Sequence, residues 1–308
     1  MPSVSFDGYM YSYLVKQNVQ NFKRTPGLPV EYVDMSDGAY TQQAPYYVVK
    51  PLFNWAVRGA APVAGVLYAP YLVSACAYFG LGWAVWLWLG ALGVEGAWHT
   101  VGAILISFNS VATDTARHGT PDTLCAAITV LGCWLLFSTP KPLLGASVLT
   151  LAILSRPDAI ILNGLLLLAA MGSEKLSKTR FVIFAGIMFA AYFFASHGGY
   201  GYRQTLAWGI RTSYLQAFFH DLLKTEMAIY APFALIGLFA FRLKYHSKLL
   251  LGVVFSLIIR YIAMPTFVVR YLLPSAMVVA VVGCAGVLTA VDRPNRSFDP
   301  RECSEATA

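Results

Sequence analysis

Apolar residues along this chain are gathered into long blocks separated by short polar connectors. A helix needs about 20 predominantly apolar residues to cross the hydrocarbon of a bilayer, and several blocks approach or reach that length. The nine blocks are residues 65–92, 97–113, 123–138, 143–154, 159–171, 181–197, 227–242, 249–264 and 271–291. The pattern predicts an all-α, polytopic transmembrane helical bundle with about nine apolar segments, two of them short.

The two ends of the chain are polar. Residues 1–60 carry scattered carboxylates and aromatic rings, and a polar tail begins at Asp292. Residues 46–57 (YYVVKPLFNWAV) are typical of an amphipathic helix in the membrane interface, because Tyr and Trp have an apolar body and a polar tip. We therefore expect an extracytoplasmic loop with an interfacial helix (1–60), a transmembrane domain (61–291) and a cytoplasmic tail (292–308).

The orientation follows from two basic connectors, residues 174–180 (EKLSKTR) and 242–248 (RLKYHSK). Short cytoplasmic loops carry an excess of Lys and Arg, so we expect both connectors in the cytoplasm. Two apolar blocks lie between them, which is consistent with that placement. Counting blocks backwards and forwards then places residues 1–60, 114–122 and 198–226 outside.

Composition agrees with a membrane protein. Hydrophobic residues make up 57% of the 308 residues and charged residues 12%, whereas soluble domains carry about 25% charged residues. The mean hydropathy is +0.60. The net charge of +7 does not indicate a nucleic-acid partner, because the basic residues form no patch with interleaved aromatics. The five cysteines lack metal-ligand spacing, so we expect reduced packing residues.

One region departs from a simple span. Residues 143–171 consist of two short apolar halves separated by Arg156, Pro157 and Asp158. Proline breaks a helix, and charges within an apolar stretch are costly unless they face protein or water. We therefore expect a short hairpin or re-entrant loop, with its break inside the protein or lining a cavity.

Charged and polar candidates recur at the outer ends of the apolar blocks, so they could converge on one extracytoplasmic cleft. Arginine binds phosphate oxygens bidentately and a carboxylate can act as a general base, so such a cleft would suit an anionic substrate. The candidates are Asp7, Asp114, Arg117, His118, Asp122, Arg156, Asp158, Arg270 and Tyr271.

Each candidate also has an ordinary structural interpretation. Asp7 could be a solvated loop acid, and Asp122 could cap a helix. Arg117 and His118 could lie among lipid head groups, and Arg270 could anchor its helix at the interface. Arg156 and Asp158 could form a structural ion pair. No HExxH, P-loop or paired-cysteine signature is present, so no cofactor is predicted and a divalent metal is left open.

Five segments, in this order, resemble the GT-C glycosyltransferases, the polytopic enzymes that include the protein O-mannosyltransferases and the bacterial aminoarabinose transferases. They correspond to that family's first acidic loop, interfacial helix, second acidic loop, charged break and late helix start. The segments are residues 6–9 (FDGY), 40–55 (YTQQAPYYVVKPLFNW), 117–122 (RHGTPD), 154–158 (LSRPD) and 270–274 (RYLLP).

The resemblance implies transfer of a sugar from a polyprenyl-phosphate donor to a lipid, glycan or protein acceptor, on the outer face of the bacterial plasma (inner) membrane. Asp7 would be the general base. Arg270, with Arg156 or Arg117, would stabilise the departing lipid phosphate. Asp122 and His118 would position the acceptor or the sugar, and Asp158 and Tyr271 are the other residues expected to bind substrate.

The family usually has a transmembrane helix before its acidic loop. Residues 1–7 have neither the basic start nor the apolar core of a signal peptide. Two explanations stay open: the natural start, with a first transmembrane helix, lies upstream of Met1, or the sequence is a fragment. Two other functions stay open from the residues. One is a transporter or flippase for a lipid-linked sugar or small anion, and the other is a non-catalytic membrane component of an envelope-assembly complex.

Overall fold

A computed structural model of the chain describes residues 6–15, 47, 49–196, 246–263 and 269–292. Within these ranges the regular secondary structure is entirely helical, in agreement with the predicted class. The helices are α1 (Phe6–Val15), α2 (Pro51–Ala91), α3 (Gly96–Ser107), α4 (Ser110–Arg117), α5 (Pro121–Ser138), α6 (Pro142–Ser155), α7 (Ala159–Gly172), α8 (Lys178–Ala195), α9 (His246–Ala263) and α10 (Val269–Asp292).

Four of the described helices are long and apolar enough to cross a membrane: α2, α5, α8 and residues Leu272–Thr289 of α10. On α8 the bulky side chains of Val182, Phe189 and Phe193 point outwards and are more than half exposed. Such a surface suits hydrocarbon and would be a liability in water, which indicates a membrane protein. The predicted total of about nine segments is not confirmed, and the block 227–242 lies outside the described residues.

Helix α2 joins the predicted interfacial segment to the first apolar block. It begins at Pro51, where a proline in the first turn costs no hydrogen bond. At Gly65 the backbone leaves the helical region, with φ at 73° and ψ at 155°. Glycine adopts positive φ without a steric penalty, so this residue allows a change of direction between the aromatic N-terminal part and the long apolar part.

The predicted block 97–113 is divided into α3, of 12 residues, and α4, of 8 residues. The division occurs at Asn109, whose Oδ1 accepts a hydrogen bond from Ala112 N at 2.9 Å and caps α4. The two helices return alongside α2, since Tyr78 Oη donates to Ser107 O at 3.0 Å and Ser74 Oγ donates to Thr120 O at 2.9 Å. After α2, the chain therefore returns to the level of Ser74 as two short helices, α3 and α4, rather than as one continuous helix.

The predicted break at residues 156–158 is confirmed. Helices α6 and α7 have 14 residues each and are separated by Arg156, Pro157 and Asp158. Asn163 Nδ2 donates a hydrogen bond to Leu149 O at 2.9 Å. Leu149 lies before the break and Asn163 after it, so this contact brings the two helices together as a short antiparallel hairpin.

The helices place the connectors at two opposite ends of the bundle. Lys248, at the start of α9, donates a hydrogen bond to the Gly172 carbonyl at the end of α7. This contact brings the described part of the second basic connector close to the first, residues 174–180. The starts of α5 and α7 and the ends of α6 and α9 lie at the other end, which we call the charged end. The side of the membrane on which each end lies stays a prediction.

Helices α5 and α6 pack closely through glycine. A Cβ atom added at Gly145 would lie 2.6 Å from the Cα atom of Leu136, and one added at Gly132 would lie 3.2 Å from the Leu149 amide nitrogen. Backbone atoms cannot move aside as a flexible side chain can. The α5–α6 contact therefore depends on the absence of a side chain at these two positions.

We expect Gly145→Ala to destabilise the protein by about 1–3 kcal/mol, because the methyl group overpacks against the backbone of α5. Gly164→Ala is the matched control, since no atom lies within 4 Å of a Cβ added there. Alanine is the better helix former by about 0.5–1 kcal/mol, so this variant should be unchanged or more stable. Thermal unfolding of the purified variants measures both, and an unaltered midpoint for Gly145→Ala would contradict the packing described.

Candidate functional site

Four charged side chains form a buried network at the charged end: Asp122, Arg156, Asp158 and Arg260. Arg156 donates from Nη1 to Asp122, from Nε to Asp158 Oδ1 at 3.0 Å, and from Nη2 to Asp158 Oδ2 at 2.5 Å. Arg260 Nη2 lies 2.8 Å from Asp158 Oδ2. Arg156 is 5% exposed and Asp122 2% exposed. One carboxylate, that of Asp158, is thus shared by two arginines.

The local sequence places each member of the network. Pro157 disfavours helical conformation at the residue before it, and Arg156 is extended, with φ at −152° and ψ at 112°. Asp122 follows Pro121 in the first turn of α5, where a negative charge is favoured by the helix dipole. Asp158 occupies the N-cap position of α7 but makes no capping bond with its side chain, so its carboxylate faces the arginines.

The arrangement balances charge where water is scarce. Two carboxylates face two guanidinium groups, so the formal charge of the four-residue network is zero. Removing one partner of a buried ion pair leaves an uncompensated charge, which typically costs 3–5 kcal/mol. The network therefore joins α5, α9 and the hairpin of α6 and α7 at one point.

Asp7 lies at the same end of the bundle, on α1. Tyr47 Oη donates a hydrogen bond to Asp7 Oδ1 at 2.5 Å, and the Tyr47 ring contacts the Tyr11 ring edge to face, with centroids 5.0 Å apart. The Lys50 ammonium lies 5.1 Å from the centroid of the Tyr47 ring and also interacts electrostatically with Asp158. Lys50 therefore links the surroundings of Asp7 to the buried network.

Tyr71 of α2 brings two of the sequence segments together. A Cβ atom added at Gly8 would lie 2.6 Å from Tyr71 Cζ, and one added at Gly119 would lie 3.2 Å from two carbons of the same ring. Gly119 also has φ at 63°, which favours glycine. The glycine of FDGY and the glycine of RHGTPD thus both make room for one aromatic side chain.

The predicted site residues fall into three groups. The buried network contains Asp122, Arg156 and Asp158, and Asp7 lies at the same end. Arg117 is exposed, and His118 Nδ1 lies 2.7 Å from the Asp114 carbonyl and 3.9 Å from its carboxylate, so these two residues of α4 and its end stand apart from the network. Arg270 and Tyr271 lie in the first turn of α10, and their side chains are outside the described part of the structure.

Sequence reasoning missed two cations, Lys50 and Arg260. Arg260 lies within the apolar block 249–264. An isolated charge in such a block is costly and usually functional, so the sequence itself indicated this residue as a candidate. Arg260 lines a cleft at the charged end together with Arg156 and Asp158. The remaining lining residues come from α5, α7, α9 and α10: Cys125, Ala159, Ile161, Leu162, Ser256, Pro274 and Ser275.

The lining of the cleft combines guanidinium and hydroxyl groups with apolar side chains. Among the residues that the structure describes, no three His, Cys, Asp or Glu side chains are grouped as metal ligands would be. The described cysteines are free thiols, and Cys125, Cys133 and Cys284 are buried. The charged side chains that line the cleft are those of Arg156, Asp158 and Arg260.

We expect Asp122→Asn to destabilise the protein by roughly 3 kcal/mol, because Arg156 then loses one of its two buried carboxylate partners. Asp114→Asn is the matched control, since the Asp114 side chain is 72% exposed and its described partner is the neighbouring His118 ring. That variant should change stability by less than about 0.5 kcal/mol. Thermal unfolding in lipid or detergent compares the two, and equal effects would contradict the buried pairing.

Comparisons with known proteins leave the family unassigned. The chain matches no family model, no curated protein and no solved structure. The resemblance to GT-C glycosyltransferases therefore rests on the five segments and their order. The described site consists of a half-buried carboxylate on α1, that of Asp7, and a cleft lined by Arg156 and Arg260.

Proposed function

We propose that this protein is a GT-C-like glycosyltransferase of the bacterial plasma membrane. It transfers a sugar from a polyprenyl-phosphate donor to a lipid, glycan or protein acceptor at the charged end of the bundle, which faces the extracytoplasmic side. The observation that supports this best is the location of Asp7 at the same end as the arginine-lined cleft, with Tyr47 and Lys50 between them. A base and a phosphate-binding group near each other are what the reaction needs.

In the proposed reaction an acceptor hydroxyl attacks the anomeric carbon of the donor sugar. Asp7 takes the hydroxyl proton as general base, and the hydrogen bond from Tyr47 to Asp7 Oδ1 orients the carboxylate. The bond between the anomeric carbon and the phosphate oxygen breaks, and both of its electrons stay with the lipid phosphate. Because the displacement is direct, the configuration at the anomeric carbon inverts and no sugar–enzyme intermediate forms.

Cationic side chains stabilise the negative charge that develops on the leaving phosphate. The resemblance to the GT-C glycosyltransferases gives this role to Arg270. Arg156 contributes less directly, because its three donor nitrogens Nε, Nη1 and Nη2 are bonded to Asp122 and Asp158. Asp122 accordingly acts by holding Arg156. His118 and Arg117, at the exposed rim of the same end, are placed to contact acceptor groups or lipid head groups.

A second function is supported by a specific observation, the break between α6 and α7. Broken helices with charges at the break line the binding sites of many transporters, and this break lines the cleft. A transporter or flippase for a lipid-linked sugar or a small anion is therefore the alternative. It differs from the enzyme in having no need for a base at Asp7.

We expect purified protein in lipid to transfer radiolabelled sugar from one member of a panel of polyprenyl-phosphate sugars to an acceptor extract. Asp7→Asn should lower the transfer rate by about 10²–10⁴-fold, the usual contribution of a general base, while donor binding persists. Arg270→Ala should lower both transfer and donor binding. Counting labelled product against time measures these changes.

Glu174→Gln is the control, because it removes an exposed carboxylate in the basic connector at the opposite end and should leave the rate unchanged. An Asp7→Asn variant that transfers sugar at the original rate would rule out the proposed base. Absence of transfer with every donor, together with donor movement across a vesicle membrane, would favour the transporter.

A further inference from the structure

The ring of Tyr71, on α2, fills the space between two segments that are distant in sequence. The first is the start of α1, where Gly8 follows Asp7. The second is the connection between α4 and α5, which contains Gly119. Both glycines are buried and Tyr71 is half-buried. The aromatic ring is therefore an internal contact of α2 with both segments.

Opposite edges of the ring face the two glycines. A Cβ atom added at Gly8 would lie 2.6 Å from Tyr71 Cζ and 3.0 Å from Cε2, whereas one added at Gly119 would lie 3.2 Å from Cδ1 and from Cε1. A ring that moved away from Gly8 would therefore approach Gly119. Because an aromatic ring has no internal torsion, its width sets how near the two segments come to each other.

Polar contacts attach both segments to the same part of α2. Ser12 of α1 places its Oγ 3.2 Å from the carbonyl oxygen of Leu67, which lies four residues before Tyr71. On the other side, Ser74 Oγ donates a hydrogen bond to Thr120 O at 2.9 Å. Tyr71 lies between these two points of attachment, so one short stretch of α2 holds α1 and the α4–α5 connection together.

Each segment leads directly to a residue of the candidate site. Asp7, the proposed base, precedes Gly8 on α1. Asp122 lies three residues after Gly119, in the first turn of α5, and accepts a hydrogen bond from Arg156, which lines the cleft. The separation of the two segments therefore contributes to the separation between the base and the cleft.

We propose that Tyr71 is a positioning residue, which sets the separation between Asp7 and the start of α5. The catalytic consequence rests on the proposed function, whereas the separation itself is a property of the fold and is measured without substrate. A general base acts within about 2.6–3.2 Å of its proton's heavy atom, and a misplacement of about 1 Å can cost about 10²-fold in rate. None of the five sequence segments contains Tyr71.

Tyr71→Leu removes the ring, so we expect kcat for sugar transfer to fall by about 10²-fold while KM for the donor changes little. Tyr71→Phe keeps the ring and should retain most of the rate. Gly8→Ala should also lower kcat, because its methyl group overlaps the ring. Adding Tyr71→Leu to Gly8→Ala makes room for that methyl group and should restore part of the rate. A merely structural role would make the double variant worse than either single variant.

Two matched controls are available on α2. Tyr68→Leu is the same substitution at a tyrosine that is 47% exposed. Gly59→Ala adds a methyl group at an exposed glycine where no atom lies within 4 Å of the new Cβ. Both controls should leave kcat unchanged, and a thermal unfolding curve for each variant identifies those that are folded.

The separation is measured on the full chain in lipid, as the distance between two nitroxide spin labels. After the accessible cysteines are replaced by serine, Val15→Cys at the end of α1 and Asp114→Cys on α4 carry the labels. We expect Gly8→Ala to lengthen the distance and Tyr71→Leu to shorten it. The two substitutions together should return the distance towards its original value.

Folded Gly8→Ala and Tyr71→Leu variants with an unchanged label distance would overturn the inference, whether or not the protein transfers sugar. An altered distance with an unchanged kcat would overturn the positioning role and leave the glycosyltransferase standing. If the original chain transfers no sugar from any donor, the proposed function fails, and the label distances alone decide whether Tyr71 sets the separation.

Discussion

An arginine inside an apolar helical bundle needs anionic partners, and the charged end of this protein is organised around meeting that need for Arg156. Its guanidinium group is satisfied by Asp122 from the start of α5 and by Asp158 from the start of α7. Asp158 in turn receives Arg260 from α9. Apolar packing is not directional, so these ion pairs are what set the helices in register at this end. The break between α6 and α7 follows from the same need, because a continuous helix would not present Arg156 and Asp158 side by side.

Much of the fold follows from features that are local in sequence. The break at Pro157 was predictable, because proline and two charges within an apolar run exclude a continuous helix in lipid. The positions of α2, α5 and α8 follow from long apolar blocks. The division of block 97–113 was not predicted, since its apolar character continues across Asn109 and only the capping hydrogen bond to Ala112 marks the start of α4. The number of spans was harder still to predict, because apolar character alone does not distinguish a span from a short buried helix.

Part of the site could be predicted, because a charged residue in an apolar stretch is energetically costly and is therefore usually functional. Arg156 and Asp158 were identified because charges are expensive in an apolar setting, and Asp7 through a resemblance between motifs. Their partners depend on tertiary packing: Asp122 lies 34 positions from Arg156, and no spacing rule connects Arg260 to Asp158. Tyr71 is a similar case. Two glycines distant in sequence leave space for its ring, and nothing in either segment indicates that they share a neighbour.

The length of the α6–α7 hairpin has a consequence for the lipid around it. Each helix has 14 residues and so rises about 21 Å, whereas the hydrocarbon core of a bilayer is about 30 Å thick. Helices shorter than the core are accommodated by local thinning of the bilayer. The head-group layer and its water would then dip towards Arg156 and Asp158. The distance between the head-group layer and the cleft is then shorter beside this hairpin than it would be beside a pair of full-length spans.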